Sequence, residues 1–176
     1  MSLLSLFAPR PAVQSGRRLY AAAVAQARQP GLYERLGAPD TAEGRFELYT
    51  LHVVLLLHRL KGQGSQAGET GQGLFDAYLR GLDDALREMG VGDLSVGKKM
   101  RKLGEAFYGR AKAYDRALEA LPDTEALAAV IGRTAAMEGA DAGPLVVYAV
   151  AASRALAGQP LQTLLEGDVA WPPITQ

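Results

Sequence analysis

Residues 92–98, Gly-Asp-Leu-Ser-Val-Gly-Lys, fit GxxxxGK, the opening of a loop whose backbone N–H groups cradle phosphates while Lys reaches them. Such a loop needs a strand before it and a Ser or Thr after its Lys to hold Mg²⁺. Here the preceding "LDDALREMG" reads as helix, and Lys99 stands where the hydroxyl belongs. The stretch therefore predicts a turn between two helices, shaped by two glycines, rather than a nucleotide site. His52 and His58 lie six apart on one helical run, too far around it to chelate one metal together, so each reads as a packed histidine. Asp83 and Asp84 are adjacent on a helix and diverge, unlike paired catalytic carboxylates. Glu47, in a largely apolar run, is expected to pair with Arg45 or Arg10. No Ser–His–Asp set follows from spacing, and the chain has no cysteine. The expectation is a protein without catalytic residues, metal or cofactor, and not an enzyme.

The helix beyond the turn carries more. At about 100° per residue, Lys98, Arg101, Lys102, Lys112 and Arg116 fall within about 50° of one line. Val96, Met100, Leu103, Phe107, Ala111, Tyr114, Leu118 and Leu121 lie opposite. Glu105 interrupts the stripe and is expected to pair with Arg101. The stripe reads either as a solvated helix face or as a docking surface for phosphate-bearing or acidic partners, including RNA or anionic lipid. Arg110, at the edge of the apolar face beside Tyr108, is placed to anchor a partner or a neighbouring helix.

The elements that must hold these groups are nearly all helical in period, and no alternating strand stands out. Residues 15–29 form the first helix, with Ser15 as a candidate cap and Pro30 as its stop. "GLYERLG" is a short turn. "GAPDT" leads to a cap, Asp40 or Thr41, before a long helix near 42–61 that is apolar on most sides and belongs at the centre. "GQGSQAGETG" (62–71) reads as a mobile loop. Helices are expected next over about 72–89, ending at Gly90, and about 94–120, capped by Asp93 or Ser95. The next starts from Asp123 or Thr124 and runs to about 137. Another spans Gly143-Pro144 to Gly158, and a last turn covers 160–166. The fold class is all-α, one compact domain of six to eight helices over 15–167, between an irregular segment 1–14 and an irregular tail 168–176.

The 176 residues, 48 % hydrophobic and 22 % charged, suit one globular domain. The net charge is zero but uneven: residues 93–116 carry seven basic and three acidic groups, residues 117–176 two and seven. "MSLLSLFAPRP" lacks a basic leader, so no signal peptide is expected. The runs 53–57 and 144–152 fall short of the roughly 20 residues that span a bilayer. A cytoplasmic protein, in peripheral contact with the inner face of the membrane at most, is the expectation.

Four stretches together resemble one family: "VAQARQPGLYERLGAPDTAEGRFELYTLH" (24–52), "LDDALREMGVGDLSVGKKMRKLGEAFYGRAKAYDRAL" (82–118), "LFDAYL" (74–79) and "LY" (19–20). They look like the ubiquinol–cytochrome c chaperone family, over roughly residues 18–120. The resemblance implies an all-helical, non-enzymatic assembly factor for ubiquinol–cytochrome c reductase, respiratory complex III. It implies cytochrome b as client and, as in mitochondrial members, association with a small partner protein and with the ribosome near its tunnel exit. With no targeting peptide expected, the chain resembles a bacterial member. Arg87, Glu88, Gly90, Gly92, Asp93, Gly97 and Lys98 match the family's signature turn, which carries no phosphate chemistry. A chaperone for cytochrome b needs an apolar or aromatic groove and polar groups to orient its client. Tyr33, Phe46, Tyr49, Phe107 and Tyr108 are candidates for the groove, with Phe46 and Phe107 expected in the core. Arg45, Asp93, Lys98, Lys102 and Arg110 are candidates for the functional surface. The alternative is a basic-helix RNA- or ribosome-binding module.

Overall fold

Thr41 ends a turn and starts the central helix: its side chain accepts from the Gly44 N–H at 3.0 Å. In the computed structural model, which describes residues 11–174, eight helices succeed one another with no strand among the described residues. They are α1 (Pro11–Ala27), α2 (Pro30–Glu34), α3 (Ala42–Leu60), α4 (Ser65–Glu88), α5 (Asp93–Glu119), α6 (Glu125–Thr134), α7 (Gly143–Gly158) and α8 (Leu161–Leu165). They enclose one core. α3 runs through it, with Leu48, Leu51, Val53, Val54, Leu55 and Leu56 all buried, as an all-round apolar helix must be.

Two expectations at the N-terminal end are corrected. Residues 11–14, expected to be irregular, are already helical, Pro11 being tolerated in the first turn. Ser15 is no cap: it is buried within α1, and its hydroxyl donates to the Leu165 carbonyl. The expected irregular segment otherwise falls on residues 1–10, outside the described residues.

The Gly-rich stretch 62–71 is also corrected. Only its start is a turn, with Gly62 and Gly64 at positive φ, and α4 begins at Ser65. Glycine serves close packing where α4 crosses α1. A Cβ at Gly16 would lie 2.4 Å from the Leu74 nitrogen and 2.7 Å from the Thr70 oxygen, and one at Gly73 would lie 3.0 Å from Val13 Cα. α1 and α4 therefore meet backbone to backbone, which any side chain at Gly16 would prevent.

Gly90 does end α4, at φ 78°. Neither Asp93 nor Ser95 caps α5, however. The N-cap is Gly92 without a side-chain bond, and Asp93 opens the helix paired to Arg87, which also holds Asp83 at 2.8 Å. Asp123 accepts from the Glu125 N–H ahead of α6, which stops at Thr134, short of 137. The stretch after α8 is irregular as far as it is described, yet it is docked. Trp171 meets His52 edge-on at 5.0 Å, and Gln159 exchanges two hydrogen bonds with the Ala170 backbone.

Candidate functional site

α5 has three differently employed sides, and their order follows from its sequence. One side is tied inward. Arg110 donates through Nε to both Glu47 carboxylate oxygens, at 2.6 and 2.7 Å, and lies 5.5 Å from the Phe46 ring centroid. Glu47 is buried and takes this partner from across the core, which corrects the pairing expected with Arg45 or Arg10. The hydrogen bond to Glu47, against a smaller cost of burial, raises the Arg110 pKa further. One helical turn and more further on, Asp115 accepts from Lys61 Nζ at 2.6 Å and contacts His58 Nδ1 at 2.7 Å, while Lys61 also reaches Glu119 at 2.8 Å. Burial alone would raise the Asp115 pKa, but the bonds from Lys61 and His58 outweigh it and hold the carboxyl below its ordinary range. The helix is thus fastened to α3 at two levels.

A second side closes an open groove of about 440 Å³ between α3, α4 and α5. Leu57 and Leu60 from α3, and Phe75, Phe107 and Ala111 from α4 and α5, give it apolar walls. Gly64, Gly68 and Gly71 leave one wall without side-chain bulk, and Lys61, Gln72 and Tyr108 stand among the lining residues. The aromatic wall is braced from behind. Phe107 packs 5.0 Å from Phe75 and 4.9 Å from Tyr78, ring centre to ring centre. The Tyr78 hydroxyl is 2.8 Å from Thr50 Oγ1, and burial, only partly offset by that bond, raises its pKa. Tyr108, 64 % exposed, is 5.8 Å from Phe75 and leaves an aromatic face at the opening.

The third side is the basic stripe. Lys98, Arg101, Lys102, Lys112 and Arg116 are all exposed. Among the described residues none of the five joins an ion pair, and Glu105 does not pair with Arg101, against expectation.

Of the residues singled out from the sequence, the groove takes Tyr108 and Phe107, the latter as buried wall. Arg110 faces α3. Lys98 and Lys102 are on the outer face, and Asp93 is exposed beside Arg87. Arg45 is exposed and paired with Asp40 at 2.8 Å. Tyr49 accepts from Arg28 Nε at 2.9 Å, and Tyr33 donates to the Ala27 carbonyl at 2.7 Å. Arg45 lies twelve residues, roughly 18 Å of helix, before Leu57, so it does not share the groove. Sequence reasoning missed Leu57, Leu60, Phe75 and the glycine wall. Phe75 stood inside the family-like "LFDAYL", where its signal was present and unused. His52, read as a packed histidine, is one: Nδ1 is 2.8 Å from the Leu48 oxygen, Nε2 is 2.8 Å from the Tyr148 hydroxyl, and burial lowers its pKa to about 4.

Fold and groove define an all-helical domain with an open, apolar-walled slot between α3, α4 and α5. The chain belongs to the ubiquinol-cytochrome C chaperone family, whose profile matches residues 34–171. That match reaches well into the C-terminal third, beyond the 18–120 carried by the four family-like stretches. The chain is 25 % identical over 166 residues to the Xenopus laevis ubiquinol-cytochrome-c reductase complex assembly factor 1, covering 90 % of this chain and 81 % of that protein. A crystal structure of the Cbp3 homolog from Brucella abortus superposes with a TM-score of 0.84 at 35 % identity, covering 98 % of each chain. The family is one of chaperones for assembly of ubiquinol–cytochrome c reductase.

Proposed function

We propose that this protein holds newly made cytochrome b in the α3–α4–α5 groove during assembly of the reductase, without catalysing a reaction. The observation that carries the reading is the groove itself: apolar walls, a stretch without side-chain bulk and an exposed tyrosine at its opening, in a member of this chaperone family. A multispanning membrane subunit exposes long apolar helices until lipid and its cofactor cover them. A helix laid in an apolar groove is sheltered through side chains spaced three and four apart. The glycine wall lets such a helix approach α4 closely, and the brace of Phe107 on Tyr78 and Phe75 keeps the slot shaped when empty.

The test is affinity capture of the tagged protein from mildly solubilised cells, with mass spectrometry of what accompanies it. Cytochrome b as the main specific partner, and loss of mature reductase on deletion, are the expected results. Normal reductase levels in the deletion strain would overturn the reading.

A further inference from the structure

We infer that the outer face of α5 is a docking surface for an anionic lipid bilayer, seating the protein peripherally on a membrane. Two observations meet on this face. The first is charge without internal balance. Exposed Arg45, Lys61 and Arg87 are paired with carboxylates. Arg17, Arg35, Arg80, Arg133 and Arg154 join no ion pair among the described residues but are spread over several elements, so what sets α5 apart is five such cations on one face. Lys98, Arg101, Lys102, Lys112 and Arg116 have no carboxylate partner among the described residues along roughly 27 Å of helix, with Glu105 the acid inside the band.

The second observation is apolar. Leu94 is fully exposed and Tyr108 is 64 % exposed. At about 100° per residue both point to the same side as the cations, Leu94 within the band and Tyr108 at its edge. Met89, 61 % exposed, adds a third apolar side chain just before α5. Cations interleaved with protruding Leu and Tyr match an interface in which headgroup phosphates meet the charges and acyl chains receive the apolar tips. An RNA backbone would use the cations and leave Leu94 idle, so lipid is favoured. No helix among the described residues is long and apolar enough to cross a membrane, so the contact is one of lying on it. Of the residues of this face, Tyr108 alone also lines the groove, so the test rests on Lys98, Lys102 and Leu94, and vesicle binding can fail while client capture succeeds, or the reverse.

The experiment is flotation of the purified full chain with vesicles of phosphatidylcholine alone, or with about one-third phosphatidylglycerol, at low and high salt. Binding to the anionic vesicles only, weakened by salt, is expected. Each cation near the surface is worth roughly fivefold in partition, so Lys98→Gln with Lys102→Gln should lower it roughly 25-fold. Leu94→Ser should lower it roughly tenfold while leaving the salt dependence in place. Arg154→Gln, on α7, should change nothing, and circular dichroism should show every variant folded. No partition at low salt, or partition indifferent to the α5 variants, would overturn the proposal. So would charge-dependent binding of an RNA duplex without vesicle binding.

Discussion

Glu47 and Arg110 show how one pair of side chains decides where a helix lies. Glu47 is 5 % exposed in the central apolar helix and needs a fixed cation. Arg110→Ala leaves that carboxylate buried and alone, and we expect a loss of roughly 3 kcal/mol in urea unfolding. Replacing both partners, Glu47→Leu with Arg110→Met, should recover most of it, because the penalty lies in the orphaned charge. His52 sets the pH response. Burial, against a smaller opposing bond to Leu48, drops its pKa from 6.5 to about 4. Between those values the unfolded chain binds the proton and the folded chain does not. Stability should therefore be intact above about pH 6.5 and fall by about 1.4 kcal/mol per unit toward pH 4, near 3 kcal/mol in all. Asp115, held low by Lys61 and His58, adds its own loss of stability only as pH falls through the carboxylate range, below most of this window. A melting temperature that stays level from pH 7 to 4.5 would contradict the assignment, and His52→Gln should flatten the slope.

At the scale of elements, glycine separates what was legible in the sequence from what was not. The helices at 42–60, 143–158 and 161–165 could be read from period and punctuation because Thr41, Pro144 and Pro160 act locally. The start of α4 could not. "GQGSQAGETG" has the composition of a loop, yet it is helix from Ser65 on, in an α4 whose Thr70–Leu74 turn crosses Gly16 of α1 closely, a contact that no local pattern encodes. The same logic hid the groove. Its walls join residues of three helices, and only Tyr108 and Phe107 stood out by type, whereas Leu57 and Leu60 look like any core leucine. Charges misled for a related reason: Glu47 had a nearby arginine in sequence and took one 63 residues away that the fold brings beside it. Two glycines of α4 should then behave oppositely. Gly73→Ala presses a methyl toward the α1 backbone and should cost stability, whereas Gly68→Ala enters open space and should add roughly 0.5–1 kcal/mol from helix propensity. Urea midpoints of the two variants measure this. Equal effects would mean that the close crossing contributes nothing specific.

For the whole molecule, the question is whether groove and fold can be separated. Behind the slot Phe107 packs on buried Tyr78, and nothing stands within 4 Å of the position a Cβ at Gly68 would take. A side chain there starts from open space on the α4 wall of the slot. Gly68→Trp should therefore leave the unfolding midpoint near that of Gly68→Ala while removing the space a client helix would occupy. If the groove receives cytochrome b, capture of that subunit should fall at least tenfold, with the reductase level falling alongside. Vesicle binding through Lys98, Lys102 and Leu94 should not change, because those residues lie outside the slot that Gly68 lines. That pattern would divide the molecule into a slot for the client and a face for the bilayer. A stable Gly68→Trp protein with undiminished client capture would instead put the client elsewhere on the surface, however well the slot is shaped.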